Sequence, residues 1–275
     1  MIPSRRRFKQ QSPASRSTVV ERMLEIRNIS KRFGGMTAVD GVSAAIAPGE
    51  IVGLIGPNGA GKTTLFNLIA GSLRPSRGEI LLNGRPLEKA PPHARIGLGL
   101  GRTFQIPRPF AGMTLLENVL LAAQKQSGER ILPNWLAPGR IAAEERRNAE
   151  RAMGLLEFVT LGGMATEPAR ILSGGQRKLL ELARILMAGP NMILLDEPAA
   201  GVNPTLLEVI MARIAEINRG GVTLLIIEHN MDLVARLCRR VLVMAGGQLM
   251  LEGTPDEVGR DERVIEAYLG GVAHE

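Results

Sequence analysis

Cysteine is nearly absent from these 275 residues: Cys238 stands alone, so no intramolecular disulfide can staple the chain. Long hydrophobic runs are missing too. Although 45% of the residues are apolar, each apolar stretch breaks before the roughly 18 residues that a membrane-spanning helix needs, as Glu117 and Asn118 break Leu115–Ala123. The chain is therefore expected not to cross a membrane by itself. Its opening residues hold no apolar core of the kind that precedes a secretory cleavage site, which places the expected location on the cytosolic side. What remains is 29.6 kDa of mixed sequence with 22% charged residues, enough for one large or two small domains around a sizeable core.

A net charge of +7 and a pI near 10.3 raise the question of nucleic acid, which depends on where the charge lies. Arg5, Arg6, Arg7, Lys9, Arg16 and Arg22 stand against Glu21 alone, so five of the seven net positive charges fall within residues 1–22. The body is nearly neutral, and no nucleic-acid partner is expected for it. The leading 22 residues also carry Ser4, Ser12, Ser15, Ser17, Pro3 and Pro13 without periodicity, the composition of a disordered basic tail. Such a tail is either simply solvated, or lies upstream of the true start, or binds anionic lipid or RNA.

From Met23 the pattern becomes regular. Short strands are expected over Leu24–Ile29, Ala38–Ile46 and Ile51–Ile55, then a helix over Lys62–Ala70 stopped by Gly71, then a hairpin strand closed by Asn83-Gly84. Between about 107 and 170 the character turns helical, with amphipathic Leu115–Gln124 and Ala142–Glu157, and reads as an inserted helical subdomain. Within it Gly128–Arg140, with Pro133, Trp135, Pro138 and Gly139, fits a loop. After Ser173 come a helix, a buried strand at Met192–Leu195, a helix at Pro204–Arg219, a strand at Val222–Ile227, a helix at Met231–Arg239 and a hairpin over Val241–Glu252. Strands alternating with helices make this an α/β protein with a parallel sheet covered on both faces.

The segment Gly56-Pro57-Asn58-Gly59-Ala60-Gly61-Lys62-Thr63 satisfies G-x-x-x-x-G-K-[ST] between an apolar strand and a helix, the context that gives this motif its meaning. Glycines let backbone N–H groups turn around an anion, and the helix directs its positive end at the same place. Lys62 supplies a point charge for the β- and γ-phosphates of a nucleotide, and the Thr63 hydroxyl can reach Mg²⁺, with Thr64 beside it as a further nucleotide contact. Met192–Leu195 then leads into Asp196 and Glu197 at the carboxyl edge of the sheet, where ligands of open α/β sheets bind. Asp196 is expected to hold Mg²⁺, and Glu197, one residue further out, to activate the attacking water as general base. His229 follows another apolar strand at the same edge and is expected to contact the γ-phosphate.

Leu172-Ser173-Gly174-Gly175-Gln176 is, on its residues alone, a capped helix start with free N–H groups for an anion. In this order and spacing it resembles the signature motif of ATP-binding cassette (ABC) ATPases, and the resemblance runs from Met23 to Gly270. It implies the ABC nucleotide-binding domain: a RecA-like phosphate-loop core, an antiparallel β subdomain and an inserted helical subdomain, with residues 271–275 as a tail. It also implies that Ser173, Gly174, Gly175 and Gln176 complete the ATP site of a second ATPase subunit in a head-to-tail dimer. Phe33 looks like the aromatic that stacks on adenine. Gln105, in Arg102-Thr103-Phe104-Gln105, looks like the hinge glutamine that contacts Mg²⁺, and His229 like the switch histidine. Asn203 stands where the family usually has Asp.

Ala199-Ala200-Gly201-Val202-Asn203-Pro204, Ile227–Asp232 and the ending Val264–Gly270 resemble the longer ATPase of bacterial branched-chain amino-acid importers. That resemblance implies integral-membrane permease partners, a second cassette that is a paralogue or a copy of this chain, an extracytoplasmic substrate-binding protein acting indirectly, and a peripheral place on the cytoplasmic face of the inner membrane. Cassettes for urea or amide uptake and for lipopolysaccharide export end similarly. Soluble cassettes of repair or translation generally carry two cassettes or a long coiled coil, and here there is one motif set and no sustained heptad. A GTPase would show an Asn-Lys-x-Asp guanine reader, which the sequence lacks.

Overall fold

The computed structural model describes residues 22–103, 108–124, 126 and 138–270. The chain opens with a hairpin of β1 (Leu24–Phe33) and β2 (Met36–Ile46), followed by β3 (Ile51–Ile55), α1 (Lys62–Ala70), β4 (Arg77–Leu82) and β5 (Arg85–Pro86). Next come α2 (Pro92–Arg95), β6 (Leu100–Arg102), α3 (Leu115–Leu120) and α4 (Pro138–Phe158). The second half holds α5 (Gly174–Met187), β7 (Met192–Asp196), α6 (Pro204–Arg219), β8 (Thr223–Ile227), α7 (Met231–Leu237), β9 (Arg240–Ala245), β10 (Gln248–Gly253), α8 (Pro255–Arg260) and α9 (Glu262–Gly270).

Two sheets result. A four-stranded antiparallel sheet has the order β2-β1-β4-β5, and a six-stranded sheet has the order β10-β9-β3-β8-β7-β6. In the larger sheet β6, β7, β8, β3 and β9 run parallel, and β10 returns antiparallel at one edge. All five residues of β3, of β7 and of β8 are buried, and apart from Thr223 and Asp196 at strand ends they are the near-continuous apolar runs that a parallel sheet requires. Their side chains divide by alternation. Ile55, Ile193, Leu195, Leu224 and Ile226 face a core shared with α5 and α6, while Val52, Leu54, Leu194, Leu225 and Ile227 face α1 and the smaller sheet. Both faces are covered, as the pattern of elements predicts.

The helix α1 keeps its expected bounds because Gly61 and Gly71 flank it in the left-handed region, at φ 95° and 85°. Asn83 and Gly84, at φ 49° and 72°, make the expected tight turn. Elsewhere the bounds move. The stretch 115–124 is helical only to Leu120, yet Ala123 still lies in the core, so its apolar periodicity reported packing and not helix length. Residues 138–140 open α4 instead of ending a loop, since Pro at a first helical position has no N–H to lose. The remainder of that expected loop, with Pro133 and Trp135, lies outside the described residues. The helices α8 and α9 were not anticipated. A Thr254–Glu257 capping box with Pro255 inside it starts α8, a signal that Thr-Pro-Asp-Glu carries in the sequence.

Arg240 ties the two sheets. From the start of β9 it donates a fork of hydrogen bonds to Glu50, at 2.7 and 2.8 Å, and another to the Ala45 carbonyl in β2 at 2.7 Å. Burial alone would raise the Glu50 carboxyl; hydrogen bonds from Arg240 and the Ala47 N–H outweigh it and hold the group below its ordinary 4.5. A depressed carboxyl favours the native state above the unfolded value, and that contribution is lost as the pH falls through the lower native one. Urea unfolding of the wild type and Glu50→Gln should therefore differ fully at pH 7, with the difference shrinking steadily below pH 4.5. A difference independent of pH over that range would show that the carboxylate charge contributes nothing.

Candidate nucleotide site

The phosphate loop is a backbone structure before it is a set of side chains. Gly56, Gly59 and Gly61 have φ of 147°, 76° and 95°, all in the region that favours glycine. A Cβ on Gly56 would collide with the Met244 carbonyl of β9, and one on Gly61 with the Ala38 carbonyl of β2. The loop is thus pressed between the two sheets, with Pro57, Asn58 and Gly59 on its open side and Ala60 buried beneath. Lys62 is 6% exposed and folds back to donate to the carbonyls of Gly56 at 2.6 Å and Pro57 at 2.9 Å. Burial pulls its ammonium below the usual lysine range, and Glu197 partly restores it. Thr63 is exposed and Thr64 half-buried. Thr63 lines the same cleft as Asp196.

Parallel strands bring the remaining predicted groups to this edge. Asp196 ends β7, Glu197 follows it, and His229 lies two residues beyond the end of β8. Asp196 is buried, and desolvation pushes its carboxyl up against the opposing pull of Arg102. The Arg102 guanidinium sits 3.4 Å from Asp196 and donates to Asn67 at 2.6 Å. The His229 Nε2 lies 3.3 Å from the Glu197 carboxylate. Glu197 itself has φ 48°, a left-handed backbone rare for any residue but glycine, Asn or Asp.

No group of three or more His, Cys, Asp or Glu poised to hold a metal occurs among the described residues. Thr63 and Asp196 offer one hydroxyl and one carboxylate, hard oxygens that suit Mg²⁺. That ion commonly takes one or two protein ligands and fills its shell with substrate phosphates and water. The donor set and the glycine cradle both fit a magnesium nucleotide.

The other predicted residues belong to other elements or fall outside the described residues. Phe33, at the end of β1, is 42% exposed with the Lys31 ammonium 5.1 Å above its ring. Gln105 lies outside the described residues. Ser173 caps α5 in a full capping box: its hydroxyl accepts from the Gln176 N–H at 3.3 Å while its own N–H donates to the Gln176 side chain at 2.9 Å. Ser173 and Gly174 are exposed, and Gly175 is packed so closely on Leu206 that a Cβ would collide with it. Asn203 accepts from the Leu206 N–H at 2.9 Å and caps α6, a task that Asp performs equally well.

Sequence reasoning missed four residues that touch the site: Arg102, Lys178, Glu228 and Tyr268. The Gly56 N–H donates to the hydroxyl of Tyr268, on α9, at 2.8 Å across more than two hundred residues. No local spacing signals such a bond. Gly56 is therefore held at both ends of its backbone, by Tyr268 at the N–H and by Lys62 at the carbonyl.

A glycine cradle around a buried lysine, set between an apolar parallel strand and a helix, places the chain among phosphate-loop nucleotide-binding proteins. Residues 39–200 match the family model of ABC transporters, and residues 248–274 that of the branched-chain amino acid ATP-binding cassette transporter. The chain belongs to the ABC transporter family, as an ATP-binding cassette ATPase. It is 40% identical over 249 residues, 90% of this chain and 96% of the relative, to the probable branched-chain amino acid transport ATP-binding protein LivG of Archaeoglobus fulgidus. It is 39% identical to the high-affinity branched-chain amino acid transport ATP-binding protein BraF of Pseudomonas aeruginosa, over 90% and 98% of the two chains. Among solved structures, the ADP conformation of an ABC-transporter cassette superposes with a TM-score of 0.78 at 39% identity, covering 90% of this chain and 99% of that one.

Tyr268 lies in the segment matched by the branched-chain family model. Tyr268→Phe keeps the ring and removes the acceptor, so the Gly56 N–H loses its partner. This should lower stability by about 1 kcal/mol. Equal urea midpoints for the two proteins would show that the hydroxyl does not hold the loop.

Proposed function

We propose that this chain hydrolyses ATP to drive uptake of branched-chain amino acids through separate permease subunits, from a peripheral position on the cytoplasmic face of the bacterial inner membrane. The observation that carries the ATPase chemistry is the meeting of Lys62, Asp196, Glu197 and His229 at one sheet edge beside the glycine cradle. The transported substrate class rests on the relatives named above and on the match over residues 248–274. No helix among the described residues is long and apolar enough to span a membrane, so permease subunits supply the passage. An extracytoplasmic binding protein delivers substrate to them.

The residues divide the work. Backbone N–H groups of Asn58, Gly59, Gly61, Lys62 and Thr63 receive the β- and γ-phosphates, and Lys62 exchanges its two carbonyl partners for phosphate oxygens. Thr63, Asp196 and Gln105 are the ligands offered to Mg²⁺, which when bound offsets phosphate charge. Phe33 supplies a ring for adenine. Glu197 accepts the proton of the attacking water as its oxygen bonds the γ-phosphorus and the bond to the ADP oxygen breaks. His229, 3.3 Å from that carboxylate, orients it and contacts the γ-phosphate. The α5 start, Ser173 to Gln176, of which Ser173 and Gly174 are exposed, caps the nucleotide of a second cassette, whose own signature helix returns the contact.

Glu197→Gln retains size and binding groups but cannot take the proton, so turnover should fall by about 10²–10⁴-fold while MgATP stays bound. Unhydrolysed ATP should then hold two cassettes together. Gel filtration with MgATP, alone and mixed with the paralogous cassette bearing the matching change, should show a dimer. A normal rate would remove Glu197 from the role of base, and a monomer under every pairing would remove the shared site. The substrate is read separately: cells lacking this protein should lose uptake of labelled leucine and keep that of urea. The reverse result would transfer the chain to amide transport.

A further inference from the structure

We infer that Lys178 and Glu228 form a buried clamp that holds Glu197 and His229 in register, acting as positioning residues for hydrolysis. The inference rests on the proposed role of Glu197 and adds two residues to which no role in that chemistry has been given. Lys178, on α5, is 9% exposed and donates its Nζ to the Glu197 carbonyl at 2.5 Å. Glu228, at the end of β8, is 3% exposed. One of its oxygens accepts from the Ala199 N–H at 2.7 Å, and the other from the N–H groups of His229 at 3.0 Å and Asn230 at 3.2 Å. A single carboxylate thus joins the loop after Glu197 to the loop that carries His229.

The backbone of Glu197 shows what the clamp must do. Its φ of 48° is one that such a residue keeps only where the surroundings impose it. Three hydrogen bonds impose it here: its N–H donates to the Ile227 carbonyl at 3.0 Å, and its carbonyl accepts from Lys178 and from the Ala200 N–H at 3.2 Å. If the Lys178 bond is removed, two of these bonds remain and the strained peptide gains room to relax toward negative φ, which turns the carboxylate away from His229. If the Glu228 bridge is removed, the two loops separate.

Charge explains why the two residues work as a pair. Desolvation pulls the Lys178 ammonium down, and the nearby carboxylates of Glu228, Glu197, Glu181 and Asp196 oppose it, Glu228 most. A buried ammonium without that carboxylate, or the carboxylate without the ammonium, would be an uncompensated charge. Neither side chain needs to reach the nucleotide. Each is spent on the backbone that aims the two reacting side chains.

The test compares Lys178→Met and Glu228→Gln, both close in size to the native residues, in the full-length chain. Glu197→Gln and Met211→Ala accompany them, the latter a core truncation in α6 that lowers stability without touching the site. The clamp variants should lose about 10- to 100-fold in kcat, the cost of misplacing a catalytic group, with KM and MgATP affinity held within about twofold. The Hε1 resonance of His229, assigned among the three histidines by replacing His93 and His274, should shift in both clamp variants and stay put in Met211→Ala. Wild-type kcat and an unmoved resonance in a folded clamp variant would overturn the clamp, as would a loss expressed mainly in nucleotide affinity. If only one variant folds, it decides the matter. Normal hydrolysis by Glu197→Gln would overturn the base assignment instead, and the histidine resonance would still report whether the clamp sets the geometry.

Discussion

The burial of the parallel sheet on both faces is the constraint from which the site follows. Strands β3, β7 and β8 are covered along their whole length, so a charged side chain within them would be stranded in apolar surroundings. Polar groups can appear only where the strands end. Parallel strands end at one edge, so Lys62, Asp196, Glu197, Glu228 and His229 are brought together from positions separated by up to 167 residues. Crowding at that edge is then unavoidable, and each buried charge is tolerable only because one of opposite sign lies near it. Burial pulls the ammonium groups of Lys62 and Lys178 down and pushes the carboxyl of Asp196 up, and in all three the opposing charges are neighbours from the same cluster.

The cradle for phosphate depends on more of the chain than its own motif. Gly61 is pressed against Ala38 of the smaller sheet and Gly56 against Met244 of β9, so both sheets shape the loop. The last helix adds its Tyr268 hydroxyl to the Gly56 N–H. Val264 and Tyr268 pack on the core, which means that the C-terminal segment reaches the first residue of the motif through ordinary side-chain burial. A loop built this way resists distortion by an incoming anion because its ends are tied to elements that are themselves packed.

Much of this was legible in the sequence, and what was legible was local. The helix Lys62–Ala70 was readable to the residue because glycines mark both ends. The unbroken runs Ile51–Ile55 and Met192–Leu195 were readable because parallel strands leave no polar face. Helix length was readable only where capping signals agreed with periodicity: Leu115–Gln124 kept its apolar face inward but stopped winding at Leu120. Non-local partners were readable only where a strand end announced them, as for Asp196, Glu197 and His229. Lys178 is an ordinary mid-helix lysine until the fold places it under the Glu197 carbonyl. Glu228 looks like a spacer before His229 until its carboxylate is seen to accept from Ala199. Only the pairing of β7 with β8 in register puts those loops side by side.

Helix α5 joins two places that the proposed dimer keeps in different subunits' sites. Its first residues are exposed, and the Ser173 hydroxyl and N–H are already engaged with Gln176, so what the helix start offers outward is its remaining backbone N–H groups and its dipole. Five residues on from Ser173, about 7.5 Å along the axis at 1.5 Å per residue, Lys178 holds the Glu197 carbonyl. Gly175, packed on Leu206 and Val202, ties the same turn to the segment that follows Glu197. A helix is stiff over so short a span, so the start of α5 cannot shift without moving the ammonium that holds the Glu197 carbonyl. In the proposed dimer, one helical turn and a half would separate this contact from the one offered to the second cassette, so coupling between them would require no long pathway.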